Sequence, residues 1–223
     1  MSDEEEAPPT PQWYTDKEAV AAGPFNEEGL PHGTGVMKYP PPPVGEDEEE
    51  KPGDMYEGPL VNGKREGFGK YTWSNGAVYE GQYVENKKQG AGKLSLPDKS
   101  MYEGDFVEDR MEGTGKYLYG NGDIYEGKFK ASKRHGSGMY HYKDVGCQLV
   151  GEWVEGNFSE GRWVLKDGSM FHGKFSTALS PTEGAHYFTR THLLQEGTYK
   201  AGMWIAGEPP KLGEATHLAK LVL

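Results

Sequence analysis

The stretch Tyr79-Glu80-Gly81-Gln82-Tyr83 opens a unit that recurs along the chain every 23 residues. The Tyr-Glu-Gly triplet begins at Tyr56, Tyr79, Tyr102 and Tyr125. Nine residues after its first glycine, each unit carries a second signature: Gly67-Phe68-Gly69, Gly90-Ala91-Gly92, Gly113-Thr114-Gly115 and Gly136-Ser137-Gly138. Weaker copies start at Ala22, Leu149, Phe171 and Gln195. Such a fixed period indicates a repeat protein whose units are stabilised by their neighbours.

The parity of the repeat predicts how its strands pair. Residues directly opposite each other on antiparallel strands share a face of the sheet. A four-residue loop over 62–65 therefore predicts three opposite pairs: Tyr56 with Tyr71, Gly58 with Gly69 and Leu60 with Gly67. A three-residue return loop over 74–76, ending in a glycine of left-handed conformation, places Tyr71 beside Tyr79. Because Pro97-Asp98-Lys99 lacks that glycine, we expect a distorted turn there.

This register places three rows of residues on one face of the sheet. The first row is aromatic, the second is glycine, and the third alternates a large residue with glycine. Bare glycine backbone leaves room for rings of the flanking rows to lie flat, so a single layer can bury aromatic area. The other face carries alternating charges, which we interpret as a solvated ladder, with a charged docking surface as the alternative: Glu57, Lys70, Glu80, Lys93, Glu103, Lys116 and Glu126.

The composition favours a β-rich protein of a reducing compartment. Of the 223 residues, 33 are glycine and only 35% are hydrophobic, which is a small supply for an ordinary two-layer core. The formal net charge of -11 disfavours nucleic-acid binding. Cys147 is the single cysteine, so an internal disulfide is excluded. The acidic N-terminus and the lack of an apolar stretch of about 20 residues predict a soluble, cytoplasmic protein.

Three segments are predicted along the chain. Residues 1–21 form an acidic, proline-rich arm that we expect to be flexible, and residues 22–207 form the repeat sheet. Residues 208–223 form a C-terminal tail. Residues 214–223 suit a short amphipathic helix, with a frayed terminus, which is commoner, as the alternative. A proline-rich and acidic insert at 40–53 separates the first two copies and is expected to be a mobile loop.

The repeat resembles the MORN-repeat family (membrane occupation and recognition nexus), whose motif is roughly Tyr-Glu-Gly-x-Trp/Phe/Tyr followed by a Gly-x-Gly strand. Residues 79–83, 102–106 and 125–129 match it closely, and the resemblance covers about residues 22–207. It implies an all-β fold, an elongated single-layer antiparallel sheet of repeated β-hairpins. The acidic start followed by repeats is similar to MORN-repeat proteins of the ciliary radial spoke head. This similarity implies a cytoskeletal location in an axoneme and protein partners in a large complex, including a second MORN protein.

The sequence contains no residue set that points to catalysis. Its seven histidines are scattered, and it has no zinc-binding helix motif, Cys/His cluster, nucleophile elbow or phosphate-binding loop. His186 and His192 lie in one presumed strand segment, where both could face the same side. Cys147 has no base nearby in sequence, so we expect an inert thiol. We predict a protein that is not an enzyme and needs no metal and no cofactor.

Two surfaces are candidates for binding. One layer leaves its aromatic side open, and open apolar patches usually bind partners. The predicted protein-binding aromatic face consists of Tyr56, Tyr71, Tyr79, Tyr83, Tyr102, Phe106, Tyr117, Tyr125, Phe129, Tyr140, Trp153 and Phe175. Basic residues at the hairpin loops form a second surface, a basic stripe, which suits acidic lipid head groups or merely keeps the turns soluble: Lys64, Arg65, Lys87, Lys88, Arg110, Lys133 and Arg134.

These surfaces lead to two hypotheses of function. The first is a non-enzymatic scaffold that binds other proteins through its aromatic face and sheet edges, within the axoneme of a cilium or flagellum. The alternative is a peripheral membrane adaptor that binds anionic lipids through the basic stripe. Nucleic acid is not an expected partner, because the tyrosines are committed to the inner rows.

Overall fold

The structure is a computed structural model that describes residues 10–15, 23–41, 52–200, 202–208 and 211–212. Within these ranges the chain forms strands and turns and contains no helix. It divides into two compact units, Met1–Arg110 (unit 1) and Met111–Leu223 (unit 2). The predicted tail helix, most of the acidic insert and most of the N-terminal arm lie outside the described residues.

Unit 1 is an antiparallel sheet in which strands that are neighbours along the chain pair with each other. The two-residue strand β4 and the longer β5 both pair with β3. The strands are β1 (Gln12–Tyr14), β2 (Gly33–Lys38), β3 (Met55–Val61), β4 (Lys64–Arg65), β5 (Gly67–Thr72), β6 (Val78–Val84), β7 (Lys87–Ser95) and β8 (Met101–Val107).

In unit 2, strands β9 to β17 also pair with their neighbours along the chain, and β9 starts at the boundary between the units. The short strand β18 pairs with β16. The predicted fold class, an all-β single layer of repeated antiparallel hairpins, is confirmed. The strands are β9 (Arg110–Leu118), β10 (Ile124–Lys130), β11 (Lys133–Tyr142), β12 (Cys147–Val154), β13 (Asn157–Val164), β14 (Met170–Phe175), β15 (Pro181–Phe188), β16 (Leu193–Lys200), β17 (Met203–Ala206) and β18 (Lys211–Leu212).

The predicted glycine row is present in each unit. In unit 1, Gly69, Gly81, Gly92 and Gly104 are successive cross-strand partners. From Gly151 onward the Gly-x-Gly signature is reduced to the single Gly161, but the row continues because each later hairpin keeps the glycine that faces the aromatic side. In unit 2 the row runs through Gly115, Gly127, Gly138, Gly151, Gly161, Gly173, Gly184 and Gly197.

The tyrosine rings lie flat against the backbone of the glycine row, and we call each such glycine position a ring bed. A Cβ atom added at Gly69 would lie 2.5 Å from the ring of Tyr56, so no residue with a side chain fits there without displacing the ring. The Tyr56 hydroxyl crosses its own strand and donates to the carbonyl oxygen of Pro59 at 3.0 Å. Tyr56 is fully buried. The glycine row therefore leaves room for the rings of the aromatic row, as the sequence predicted.

The hairpin turns within the repeats differ from the prediction. Instead of a four-residue loop over 62–65, the turn has two residues, Asn62-Gly63, with φ of 50° and 76°. Leu60 therefore faces Arg65 and not Gly67. A two-residue turn with positive φ matches the twist of the strands, and the surplus residues of the returning strand form a bulge. The second basic residue of several loops thereby becomes a strand residue on the aromatic face: Arg65 opposite Leu60, Lys88 opposite Tyr83 and Arg134 opposite Phe129.

The return turns follow the prediction, with one correction. Gly76 has φ of 87°, and its N–H donates to the carbonyl oxygen of Trp73 at 2.9 Å. At Pro97-Asp98-Lys99 the same turn forms, with Lys99 at φ of 70° and its N–H donating to Leu96 at 3.0 Å. The prediction of a distorted turn is wrong, because a lysine can adopt this conformation at a modest energetic cost.

Each unit has a tryptophan that takes the place of a repeat tyrosine in a terminal strand. A Cβ atom at Gly35 would lie 2.8 Å from the ring of Trp13 in β1, whose indole N–H donates to Pro24 at 3.0 Å. A Cβ atom at Gly197 would lie 2.6 Å from the ring of Trp204 in β17. The predicted start of the sheet therefore lies too late in the chain, because it assigns β1 to the flexible arm.

Candidate protein-binding site

The aromatic face is covered by its own rings. Of the residues predicted to form this face, all but the half-buried Tyr117 are at most 9% exposed. The single layer therefore does not leave these rings as the open surface that we expected. Any partner of this face has to bind at its margins or in places where the cover of rings is incomplete.

Neighbouring repeats cover one another edge to face. The ring of Tyr83 lies 5.2 Å from that of Tyr79 and 5.5 Å from that of Tyr56, at interplanar angles of 82° and 86°. In unit 2, Trp153 lies 5.3 Å from Tyr125. Aromatic rings prefer this geometry, and each such pair contributes about 0.5–1.5 kcal/mol beyond the buried area. Large residues of the third row thus fill the space between tyrosines of adjacent repeats.

The repeat tyrosines keep their hydroxyl groups bonded and neutral. Tyr79 donates to the carbonyl oxygen of Gln82 at 3.1 Å, and Tyr125 donates to that of Lys128 at 3.0 Å. Burial raises the pKa of both tyrosines to about 12. These rings therefore bring no charge to recognition at neutral pH.

The first basic residue of several hairpin loops forms an ion pair with the next hairpin. Lys64 lies 3.1 Å from Glu85, and Lys133 lies 2.8 Å from Glu155. Lys87 pairs in the same way with Glu108 at 3.4 Å. The basic stripe is therefore interleaved with carboxylates along its length, which weakens its attraction for an anionic lipid surface.

The second basic residue of the loop turns onto the aromatic face. The Arg134 guanidinium lies 4.4 Å from the ring centroid of Trp153 and 5.2 Å from that of Tyr140. Arg65 lies 4.9 Å from Tyr71 in the corresponding place of unit 1. Cation–π contacts of this kind are worth about 0.5–2 kcal/mol. Sequence reasoning missed this role, since it assigned these residues to exposed loops.

Of the remaining predicted residues, the charges of the outer face form exposed pairs. Lys70 lies 3.1 Å from Glu80, and Lys116 lies 3.7 Å from Glu126. All four side chains are at least 40% exposed. Pairs this exposed contribute at most about 1 kcal/mol, in keeping with a solvated ladder. Arg110, the last residue of unit 1, is exposed.

Two carboxylates bonded to tyrosines, the half-buried Asp54 and the buried Asp123, were not found from the sequence. Asp54 accepts a hydrogen bond from the Tyr71 hydroxyl at 2.7 Å. Asp123 accepts from the Tyr140 hydroxyl and from the Lys143 N–H, each at 2.9 Å. Burial acts to raise the pKa of Asp123, but these hydrogen bonds outweigh it and hold that pKa below its usual value. The available signal was the recurrence of this Asp and Tyr after three repeats.

An apolar groove lies on the aromatic face of unit 2. It has a volume of about 240 Å³. Val145 and Leu179 at its rim are 60% and 40% exposed, whereas Cys147 in its wall is buried. Phe175 is its one member from the predicted aromatic face. The lining residues are Tyr142, Val145, Cys147, Leu149, Trp163, Phe175 and Leu179.

The groove lies where the C-terminal copies depart from the repeat. Leu149 stands in the row that Tyr56, Tyr79 and Tyr125 occupy in regular copies, opposite Tyr140 and Trp163. The position over the glycine row that a tyrosine ring takes in regular copies is occupied here by Phe158, whose ring would lie 2.9 Å from a Cβ atom added at Gly161. The change from Tyr to Leu at this position was visible in the sequence and marks the departure from the regular repeat.

The described ranges contain no cluster of side chains suited to holding a metal ion. No group of three or more His, Cys, Asp and Glu side chains within them is arranged to hold an ion. His186 contacts the Tyr199 hydroxyl at 2.8 Å, and burial lowers its pKa. His192 contacts Tyr187 instead, at 3.0 Å, so the two histidines have different partners. No helix able to cross a membrane occurs in the part of the chain that the structure describes.

Comparison with known families identifies the repeat. A family model described as MORN repeat matches residues 27–41, 56–78, 79–101, 102–124 and 125–144. The matched segments include all four regular copies and the leading copy. A search of curated proteins finds no match.

Two of the solved structures that resemble this chain are distant likenesses. The TCP domain of SAS-4 (dCPAP) from Drosophila melanogaster, in complex with a proline-rich motif of Ana2 (dSTIL), has 16% identity and a TM-score of 0.31, with 66% of this chain and 68% of that chain covered. The wild-type TCP10 domain of Danio rerio CPAP has 10% identity and a TM-score of 0.41, with 84% and 92% covered. At these values the likenesses give no information on function.

The family assignment thus rests on the repeat itself. The matched segments hold the Tyr-Glu-Gly triplets, and the glycine row and ring beds recur in the same copies. The later copies, with Leu149 in place of the tyrosine, keep the glycine row beyond the last matched residue. The chain belongs to the MORN-repeat family.

Proposed function

We propose that this chain is a non-enzymatic structural scaffold that binds other protein subunits within a large assembly, the axoneme of a cilium or flagellum and there the radial spoke head. The observation that carries the proposal is the apolar groove of unit 2. It leaves Val145 and Leu179 exposed on a face whose other rings cover one another. Exposed apolar surface of this kind is the usual mark of a protein-binding site.

A structural role fits the way the sheet is stabilised. The MORN repeat is a non-enzymatic repeat family, and its single-layer sheet is held by contacts between neighbouring repeats. Within each unit, the paired hairpins present a continuous surface on which partners can be held. The ciliary location is proposed from the acidic start and repeat composition, which are similar to radial spoke head proteins.

The alternative, a membrane adaptor that acts through the basic stripe, has less support. Lys64, Lys87 and Lys133 pair with glutamates, while Arg65 and Arg134 lie over rings. A liposome sedimentation assay with the full chain tests this alternative. We expect no binding to anionic vesicles, and binding that weakens with added salt would favour the adaptor.

Affinity purification of the tagged full chain from ciliated cells tests the scaffold proposal. We expect axonemal proteins, including a second MORN protein, to co-purify in fixed proportion. Recovery of membrane proteins without axonemal components would contradict the ciliary assignment. Recovery of no stable partner would contradict the scaffold itself.

A further inference from the structure

We infer that the groove of unit 2 binds a segment of a partner protein that carries a large apolar side chain next to a carboxylate, with the carboxylate on Arg134. This inference deepens the proposed scaffold function and rests on it. It depends on three observations: the size of the groove, the position of Arg134 and the absence of a carboxylate partner for that guanidinium.

The size of the groove suits a side chain. Its volume of about 240 Å³ is below the roughly 300–1,000 Å³ of cavities that enclose small-molecule ligands. It is lined by apolar and aromatic groups, with Val145 and Leu179 exposed at the rim. Protein interfaces commonly place one large apolar anchor in a pocket of this kind and surround it with polar contacts.

Arg134 is separated from the groove by one ring on one side and by two rings on the other. Its guanidinium is 5.2 Å from the ring of Tyr140, whose centroid is 4.5 Å from that of Tyr142 in the groove wall. On the other side it is 4.4 Å from the ring of Trp153. The ring of Trp153 contacts that of Phe158, which in turn contacts Phe175 in the opposite wall of the groove. The positive charge also acts to lower the pKa of Tyr142, although burial dominates and raises that pKa.

The charge of Arg134 is not neutralised by a carboxylate within the described ranges. Its guanidinium donates to the carbonyl oxygen of Gly156 at 2.6 Å, hydrogen-bonds Tyr119 and otherwise lies over rings. The adjacent Lys133, by contrast, pairs with Glu155 at 2.8 Å. A guanidinium on an apolar face favours a carboxylate, which it can bind through two parallel hydrogen bonds. Charge complementarity therefore points to an acidic side chain beside the apolar anchor.

Unit 1 supplies a matched comparison. Arg65 occupies the same repeat position, 4.9 Å from Tyr71 and 5.1 Å from Tyr83. The residue that corresponds to Leu149 is there Tyr79, and its ring is fully buried. Arg65 thus has the cation and the rings, whereas the groove is lined by residues of unit 2, so substitution of Arg65 is a control for effects on folding.

The experiment selects peptides from a random display library on the full chain and measures their affinity by fluorescence anisotropy. We expect the selected peptides to share a large apolar residue next to Asp or Glu. Val145→Asp should weaken their binding at least tenfold, because it places a charge at the rim of the groove. Val154→Asp, at another exposed valine of unit 2, should change binding less than twofold.

The role of Arg134 is tested with the same peptides. Arg134→Gln should weaken peptide binding about tenfold and abolish the dependence of binding on salt. Arg134→Lys should retain part of the affinity and part of the salt dependence. Arg65→Gln should change neither the affinity nor the salt dependence. Thermal unfolding of each variant checks that the sheet is intact. If Arg134→Gln does not fold, replacing the acidic residue of the peptide by its amide on the wild-type chain gives the same test. The inference would be overturned if no peptide were selected or if the selected peptides lacked acidic residues. It would also be overturned if Val145→Asp left peptide binding unchanged.

The two proposals can fail separately. If Val145→Asp still co-purifies with the cellular partners of the wild-type chain, the groove inference is wrong and the scaffold function stands. If the wild-type chain recovers no partner from cells while acidic–apolar peptides bind the groove, the scaffold proposal is wrong and the chemistry of the groove stands.

Discussion

Replacing Gly92 by alanine tests the ring beds directly. The added Cβ atom would lie 2.5 Å from the Tyr79 hydroxyl oxygen and 2.7–2.8 Å from two ring carbons, well inside contact distance. Tyr79 is fully buried, and its ring is held by Tyr83 at 5.2 Å and Phe106 at 5.1 Å. The ring therefore cannot move without disturbing these contacts and its hydrogen bond to Gln82.

The expected cost follows from these contacts. Overpacking a filled site costs about 1–3 kcal/mol, and the loss of the tyrosine hydrogen bond adds about 1 kcal/mol. Gly92 has no positive φ, so alanine returns about 0.5–1 kcal/mol by restricting the unfolded chain. We expect Gly92→Ala to lower the free energy of unfolding by about 2 kcal/mol.

Urea denaturation followed by intrinsic fluorescence measures this change as a shift in midpoint. Ala91→Val on the exposed face of the same strand is the control, and we expect it to change stability by less than about 0.5 kcal/mol. In the background of Tyr79→Leu, which removes the ring, Gly92→Ala should cost much less than alone. A neutral Gly92→Ala, or an equal cost with and without the ring, would refute the ring-bed argument.

Three further predictions concern a turn and two titrations. Lys99→Gly should raise the free energy of unfolding by about 0.5–1 kcal/mol in the same denaturation assay, because glycine adopts the φ of 70° without strain; an unchanged or lower midpoint would contradict this. Burial raises the pKa of Tyr79 and Tyr125 to about 12, so the stability that they contribute is fully present below pH 10 and is lost as the pH rises through 12. Phenolate absorbance and loss of the β-sheet circular dichroism should therefore develop together, and ionisation of these tyrosines in the intact sheet would be inconsistent with their burial. The pKa of Asp123 is lowered, so its contribution is present above the usual carboxyl pKa of 3.8 and is lost as the pH falls below it; Asp123→Asn should flatten the acid limb of the stability curve relative to Asp109→Asn.

The sequence predicted the rows of the sheet well because their period is so regular. Parity alone places Tyr71 beside Tyr79 and Gly69 beside Gly81, and both pairs are present. Parity fixes only whether the number of residues between two paired strand positions is odd or even. A four-residue loop and a two-residue loop followed by a bulge of two residues therefore satisfy it equally well. Both solutions leave Tyr56 opposite Tyr71, and they differ only near the turn.

That local difference explains what the prediction missed. The two-residue turn moves Arg65 and Arg134 from the loop into the ladder, where each guanidinium reaches the rings. The burial of the aromatic face depends on edge-to-face contacts between repeats, such as that of Tyr56 with Tyr83, and cross-strand pairing does not fix ring angles. The groove lies among the irregular C-terminal copies, and its volume depends on how seven side chains from several strands and turns pack together.

The tyrosine of a regular copy finds both its hydrogen-bond acceptor, three residues later, and the glycine beneath its ring within the same 23-residue copy. Tyr79 finds its acceptor at Gln82 within its own strand and its bed at Gly92 on the strand that follows. Duplication or loss of one 23-residue module therefore carries ring, bed and acceptor together and leaves none of them orphaned. Arrays of this kind can lengthen or shorten during evolution by whole modules, while single-residue insertions are confined to the loops.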